Sequence, residues 1–192
     1  MGTREALIDA ATRLLDEGGV DAVTLREVGA RVGVSHNAPY KHFANKQSLL
    51  AAVAARELAS LTTARPAGPP GEVLRAAMRG YIAWARSHPN RFKLVFGTWT
   101  ADAEGLGAAA HAAQTALVGL VSSAQQAGAL PAGDPVRLAS LIRSLAHGAA
   151  DLAAAGHLAA EGKGRADPED LLDDLLGYLR RASDTVTDPR TA

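Results

Sequence analysis

The polar segment "HNAPYKH", residues 36–42, carries the side chains in this sequence that are best suited to contacting DNA. Asparagine can hydrogen bond to adenine through two atoms, and lysine can donate to guanine. His36, Asn37 and Lys41 are therefore our candidates for contacting base edges. Phosphate contacts usually outnumber base contacts, so each assignment to a base stays open.

The charge pattern around this segment favours a polyanionic partner, although the whole chain has a formal net charge of zero. The sequence has no acidic residue between Glu27 and Glu57. The same window contains four fully cationic side chains: Arg31, Lys41, Lys46 and Arg56. Lysine and arginine attract the phosphate backbone independently of DNA sequence. The window therefore predicts a local surface that binds nucleic acid, which the net charge of the whole chain does not reveal.

Two short helices are predicted to position this segment. Thr24 precedes Leu25-Arg26-Glu27, a capping-box pattern that starts a helix at Leu25. Gly33 ends that helix, because glycine tolerates the left-handed backbone of a tight turn, and Ser35 can cap the next helix, which is expected to run to about Phe43. Two such helices joined by a glycine turn describe a helix-turn-helix, whose second helix enters the major groove.

The rest of the chain also predicts helices, since alanine and leucine dominate and aromatic residues make up only 4%. We expect an all-α protein with two domains, a helix-turn-helix domain at 1–62 and a helical domain at 72–184, separated by the proline- and glycine-rich segment 65–71. A helix over 4–17 stops at Gly18-Gly19, and Asn45 caps a long helix. Further helices are predicted at 72–87, 90–97, 103–128, 134–156 and 168–183.

Several classes of site are disfavoured by composition. The chain has no cysteine, which excludes disulfides and zinc-thiolate sites. No third ligand stands at a recognisable spacing from His147 and Asp151, so we predict no metal, no cofactor and no catalytic residue. The N-terminus has no long apolar run, which indicates neither a signal peptide nor a membrane anchor and suggests a cytoplasmic protein.

Residues 24–50 resemble the DNA-binding segment of the TetR family of bacterial transcriptional repressors. The matching positions are Thr24, Leu25, Arg26, Glu27, Gly33, Val34, Ser35, Ala38, Tyr40, His42, Phe43, Lys46, Leu49 and Leu50. The resemblance implies a three-helix DNA-binding unit, a connecting helix and a helical domain that dimerises and binds a small-molecule inducer. It further implies a homodimeric repressor that an inducer releases from a palindromic operator in double-stranded DNA.

The resemblance also assigns roles within the motif. Tyr40, His42 and Lys46 match positions that hold phosphates in the family. The complete set of predicted DNA-binding residues is Thr24, Arg26, Ser35, His36, Asn37, Pro39, Tyr40, Lys41, His42 and Lys46.

Two positions depart from the family pattern. Gly29 stands where alanine is usual, and Pro39 stands where an aliphatic residue is commoner. Four residues after a Ser35 cap, the Pro39 ring would crowd the serine carbonyl and remove a helical hydrogen bond. We therefore expect a displaced or distorted first turn.

In the second half of the chain, "SHPNRFKLVFG" and "LAHGAADL" resemble the family subset named for a Trp-His-Gly motif, although the helix that contains His147-Gly148 has no tryptophan.

A small-molecule site is predicted in the second domain from a concentration of aromatic residues. Taken singly, each of these side chains is better explained as part of an ordinary core, but an apolar pocket is itself lined by core residues. Few fixed charges lie nearby, so the inducer is expected to be mainly apolar. The predicted ligand-binding set is Met78, Tyr81, Trp84, Phe92, Phe96, Trp99, His111, Arg143 and His147.

Leucine stripes on the last two predicted helices indicate a dimer interface, since one wide apolar helix face needs two neighbours. The resemblance implies a four-helix bundle shared by two chains; burial within a monomer is the alternative. The predicted interface residues are Leu141, Leu145, Leu152, Leu172, Leu175, Leu176 and Leu179.

Two hypotheses from other functional classes stay open. One is a small helical enzyme in which His147 acts as a base oriented by Asp151. The other is an interaction protein that has kept the fold without operator binding, for which Pro39 is the supporting feature.

Overall fold

A computed structural model describes residues 2–63, 67–99 and 105–187, with only the backbone for 184–187. These ranges contain eight α-helices, one 3-10 turn and no strand, which confirms the all-α prediction. The elements are α1 (Thr3–Ala22), α2 (Leu25–Val32), the 3-10 turn (Pro39–Lys41), α3 (Lys46–Thr63), α4 (Pro70–Ser87), α5 (Pro89–Val95), α6 (Leu106–Gln126), α7 (Pro135–Ala154) and α8 (Pro168–Thr187). Part of the predicted 65–71 boundary and the first residues of the helix predicted at 103–128 lie outside the described ranges.

The chain forms two compact units. The first comprises Met1–Thr62 together with His88–Ala113, and the second comprises Thr63–Ser87 together with Gln114–Ala192. The first unit therefore includes α5, which follows α4 directly in the chain.

In the first unit, the predicted apolar stripe of α1 forms the core. Leu7 and Leu15 are fully buried there, and the backbone leaves helical geometry at Gly18 and Gly19, where the sequence predicts a stop. Other buried side chains in this core are Val28, Phe43, Leu49, Leu50 and Val53. The predicted cap of α3 is also present, since the Ser48 amide donates to Asn45 Oδ1 at 2.9 Å.

Polar contacts hold α5 against α1 and α3. Asn90 Nδ2 donates to the Leu15 carbonyl at 2.9 Å, at the last full turn of α1. Arg91 forms a two-point ion pair with Asp16, at 2.8 and 2.5 Å, and lies 3.4 Å from the buried Glu57 carboxylate. These contacts bring α5 into the first unit.

In the second unit, α4, α7 and α8 pack against one another. Their shared core contains Leu74, Ile82, Ile142, Ala146 and Leu172, each at most 1% exposed. Exposed ion pairs frame the core, with Arg79 bonded to Asp173 at 2.6 Å and Arg86 to Glu169 at 3.0 Å. Within the described ranges, none of the helices is long and apolar enough to cross a membrane.

Candidate nucleic-acid interface and effector site

The helix-turn-helix begins as its capping pattern predicts. Thr24 Oγ1 accepts from the Glu27 amide at 3.1 Å, which satisfies one free N–H at the start of α2. Gly33 ends α2 with φ 75° and ψ 28°, a left-handed conformation in which a side chain would be strained. The Val34 amide then donates back to the Gly29 carbonyl at 3.1 Å, which closes the helix end and turns the chain sharply.

The second helix of the motif differs from the prediction. The sequence predicts an α-helix that follows a Ser35 cap and runs to about Phe43, but residues 36–38 form a turn and Pro39–Lys41 form a 3-10 turn. Pro39 has no amide to donate to the Ser35 carbonyl, and the Ala38 amide takes that acceptor instead, at 2.9 Å. The prediction of an α-helix here is wrong. The missing amide of Pro39, which the sequence predicts to distort the first turn, explains why the chain forms a 3-10 turn instead. We call residues 35–43 the recognition turn.

The recognition turn presents most of the predicted DNA-binding side chains to solvent. The exposed members of the predicted set are Thr24, Arg26, Ser35, His36, Asn37, Tyr40, Lys41 and His42, while Lys46 is half-buried. Tyr40 is 51% exposed, and its ring centroid lies 6.0 Å from that of His36. Pro39 is buried, so a direct DNA contact by this residue does not fit the structure.

The cations of the acid-free window fall into two groups. Arg31 forms two hydrogen bonds of 2.8 Å with Glu17, which lower the pKa of that carboxyl, and Arg56 pairs with Asp9. The other group is Lys41 and Lys46, for which the described part of the chain offers no ion-pair partner; the same holds for Arg26, which lies just before the window. Among the described residues, an anionic ligand could therefore pair with Arg26, Lys41 or Lys46 without displacing a carboxylate of the chain.

Arg4 is a further cation beside the recognition turn that sequence reasoning missed. Its guanidinium lies 5.3 Å from the centroid of the buried Phe43 ring, and its side chain remains 52% exposed. The contact joins the start of α1 to the end of the recognition turn. No local pattern could reveal it, because the two residues lie far apart in sequence.

Part of the predicted effector site forms a cluster in the second unit. The Tyr81 hydroxyl on α4 and His147 Nδ1 on α7 are 2.9 Å apart, and the Tyr81 and Trp84 ring centroids are 6.2 Å apart. Met78 is buried, one turn from Tyr81. Arg143 is exposed and donates to Gln114 Oε1 at 2.8 Å. We call these residues, Met78, Tyr81, Trp84, Arg143 and His147, the Tyr81–His147 cluster.

The electrostatics of the cluster keep both partners of its central hydrogen bond uncharged. Burial raises the pKa of Tyr81 above its ordinary value, so the phenol keeps its proton. Burial, assisted by the positive charge of Arg143, lowers the pKa of His147, while Asp151 acts in the opposite direction. Both groups are therefore neutral near pH 7. Between two neutral groups the Tyr81 hydroxyl can donate to Nδ1 or accept from it, according to which ring nitrogen of His147 carries the proton.

The lowered pKa predicts how stability depends on pH. In the unfolded chain His147 titrates near its ordinary value of 6.5, whereas in the folded chain it resists protonation. The unfolded state then binds more protons below that pH, so the free energy of unfolding should fall as the pH drops from about 6.5 through the lower, folded-state pKa. Denaturant unfolding should show a smaller pH slope in that window for His147→Gln. An unchanged slope would contradict the assignment.

The remaining predicted ligand residues lie in the first unit. Phe92 is buried and Phe96 is 39% exposed, with ring centroids 5.3 Å apart. Trp99 Nε1 is buried without a hydrogen-bond partner among the described residues, and His111 is exposed on α6. A cavity of about 340 Å³ in the second unit is lined by other residues, among them Arg86, Leu158 and Asp167. It therefore does not correspond to the predicted pocket.

The predicted interface leucines divide into two groups. Leu172 and Leu176 are buried within the single chain, so they serve its own core and do not fit a dimer surface. Leu141 and Leu152 are 64% and 49% exposed, and Leu145, Leu175 and Leu179 are partly exposed. With Tyr178, which is 63% exposed, they leave apolar surface on both α7 and α8.

Comparison with known proteins matches both halves of the chain to one family. Residues 74–179 match the Tetracyclin repressor-like, C-terminal domain, and residues 7–53 match the bacterial regulatory proteins of the tetR family. The chain belongs to the TetR family. The N-terminal match includes the helix-turn-helix, and the C-terminal match runs from within α4 through α5, α6 and α7 into α8.

Individual proteins are similar to this chain over different spans. The tetracycline repressor protein class D of Escherichia coli is 43% identical over 56 residues, which span 29% of this chain and 26% of that repressor. The match therefore covers about a quarter of the relative's length. A solved protein of unknown function from Rhodococcus sp. RHA1 is 30% identical, with a TM-score of 0.80 over 95% of this chain and 96% of that one. AibR in complex with isovaleryl coenzyme A and operator DNA shares the fold at 21% identity, with a TM-score of 0.62 over 92% of this chain and 97% of that one.

Proposed function

We propose that this protein is a cytoplasmic, ligand-responsive transcriptional repressor that binds a palindromic DNA operator as a homodimer. The observation that carries the proposal is the recognition turn, which exposes His36, Asn37, Tyr40 and Lys41 on a capped helix-turn-helix. Those polar side chains suit base edges and phosphates. Arg26, Lys41 and Lys46 supply unpaired positive charge on the same motif.

The relatives support both halves of the proposal. The similarity to the class D tetracycline repressor falls in the region that contains the helix-turn-helix. AibR, which has the same fold, has been solved with operator DNA and with an acyl thioester at once. A protein of this architecture can therefore respond to a small molecule while carrying a DNA-binding motif.

The dimer is proposed to form through the exposed apolar stripe of α7 together with α8. Leu141, Leu145 and Leu152 lie within about 40° of one another around the α7 axis, at 100° per residue. A two-fold interface would place this stripe against its own copy and remove it from water. The two recognition turns would then face two half-sites of one operator.

The inducer is proposed to bind at the Tyr81–His147 cluster through a mainly apolar body. Met78 and Trp84 offer apolar and aromatic surface, and the neutral Tyr81–His147 pair offers a hydrogen-bonding group without a net charge. A neutral pair suits a carbonyl or hydroxyl better than a carboxylate, which would call for paired cations. Inducer binding would shift the dimer towards a state whose half-site spacing no longer matches DNA.

The enzyme hypothesis gains no support from the site. In the enzyme hypothesis Asp151 orients His147, but the hydrogen bond at His147 Nδ1 joins the Tyr81 hydroxyl, 2.9 Å away. Among the described residues no group of three or more potential ligands could hold a metal ion. The family itself consists of regulatory proteins.

The ligand site is tested by a pair of variants that should separate sensing from DNA binding. A compound at about a hundredfold excess over its Kd should stabilise the DNA-free protein by about 2.7 kcal/mol in thermal denaturation, and Trp84 fluorescence should change. We expect His147→Ala to lose this response while keeping operator affinity, and Lys46→Ala to do the reverse.

Tyr81→Phe is the matched control, because it removes only the hydroxyl that bonds His147. It should weaken the ligand response less than His147→Ala does. If His147→Ala abolished DNA binding and thermal stability together, His147 would be a core residue and the proposed ligand site would lose its polar group.

A further inference from the structure

Gly29 and Pro39, the two departures from the family pattern, meet in space. A methyl group built on Gly29 would lie 2.8 Å from Cγ and 3.5 Å from Cδ of Pro39. Real side chains essentially never approach so closely, so α2 and the recognition turn touch where Gly29 has no side chain. Both residues are buried.

The contact bears on the elements that would read DNA. The Pro39 carbonyl accepts from the His42 and Phe43 amides, each at 3.0 Å. The residue that carries the ring therefore also holds the end of the recognition turn in place. Pro39 also separates His36 and Asn37 from Tyr40 and Lys41, and all four are exposed. On the other side, Gly29 lies in the middle of α2, which Thr24 and Gly33 fix at its two ends.

Resting on the proposed function, we propose that Gly29 and Pro39 are a matched pair of positioning residues that determine operator selectivity. The ring of Pro39 occupies the space of an absent side chain, which lets the recognition turn lie against α2 in its 3-10 conformation. Alanine at position 29 would push the turn away, because a proline ring cannot rotate aside as a flexible side chain can. The exposed polar side chains would then approach the base edges from a different direction.

The test is a double-mutant cycle with two duplexes, one that the parent protein selects from a randomised library and one of random sequence and equal length. Gly29→Ala should weaken binding to the selected duplex about tenfold or more, because overpacking a tight contact shifts the backbone of the recognition turn. Binding to the random duplex should change much less. In the Pro39→Ala background, where the ring is absent, the same change should alter both affinities by less than about threefold.

Two further variants keep the result interpretable. Gly119→Ala is the matched control, since Gly119 is a helical glycine with open space around it, and both duplexes should bind it as they bind the parent. Pro39→Ala alone adds no volume and restores a backbone amide, so it should fold and select a different base preference from the parent.

The outcomes separate this inference from the proposed function. A parent protein that selects no sequence would contradict the proposed function. With a selective parent, the inference is overturned if Gly29→Ala weakens both duplexes by the same factor, or if Pro39→Ala leaves that effect and the base preference unchanged.

Discussion

Leu141→Glu is expected to convert the dimer into monomers and to reduce operator affinity by about a hundredfold or more. Leu141 is 64% exposed in the single chain, so glutamate there should leave the fold intact. In a two-fold interface the substitution occurs twice, and each unpaired charge would lose its water, at a cost of several kcal/mol. Sedimentation velocity would give the oligomeric state, and fluorescence anisotropy with operator DNA would give the affinity.

Val136→Glu is the control for the interface. Val136 is also exposed on α7, at 51%, but lies about 140° around the helix from Leu141. It should remain a dimer with the parent's affinity. A parent protein that sediments as a stable monomer, or a Leu141→Glu protein that stays dimeric, would contradict the proposed interface.

The second large effect is expected for Lys46→Ala and Asn37→Ala, which should change DNA binding in different ways. Lys46→Ala should weaken operator and random DNA alike and reduce the salt slope by about one for each half-site, because a phosphate contact releases a counterion. Asn37→Ala should relax the preference for one base position by about 1–3 kcal/mol and leave the salt slope unchanged. Titrations over a range of salt concentrations measure both quantities.

Lys163→Ala is the matched lysine control, because Lys163 is exposed in the segment between α7 and α8 and is not part of the helix-turn-helix. It should match the parent in both affinity and salt slope. If Lys46→Ala and Asn37→Ala also kept the parent's salt slope and base preference, the assignment of both residues to DNA would be wrong.

Local chemistry made the start of the helix-turn-helix predictable. The Thr24 cap, the left-handed Gly33 and the Asn45 cap each depend on residues within four positions, and each has the predicted geometry. The conformation of the recognition turn depends on more than its own sequence. Pro39 predicts a distortion in this turn. How the fold accommodates the ring is seen only in the contact with Gly29, ten residues earlier.

Long-range contacts were not predictable from one sequence. Asn90 and Arg91 hold α5 against α1 through partners about 75 residues away, and no periodicity encodes that pairing. The hydrogen bond between Tyr81 and His147 similarly joins helices whose relative placement only the folded chain reveals.

The leucines of α7 and α8 show a limit of periodicity. A helical repeat identifies apolar faces but does not say which face the chain covers with its own helices. Leu172 and Leu176 serve the core of the second unit, whereas Leu141 and Leu152 are left exposed. The sequence pattern predicts all four as interface residues, because their residue type and helical spacing are the same.

If a dimer of this chain reads DNA with its two recognition turns, the duplexes that it prefers should be symmetric. The most direct measurement is to sequence the duplexes that the parent protein selects from a randomised library over successive rounds. We expect enrichment of an inverted repeat, with half-site centres about one helical turn or a multiple of it apart, bound by two chains. Selected duplexes without a common sequence, or with a single unrepeated site bound by one chain, would contradict it.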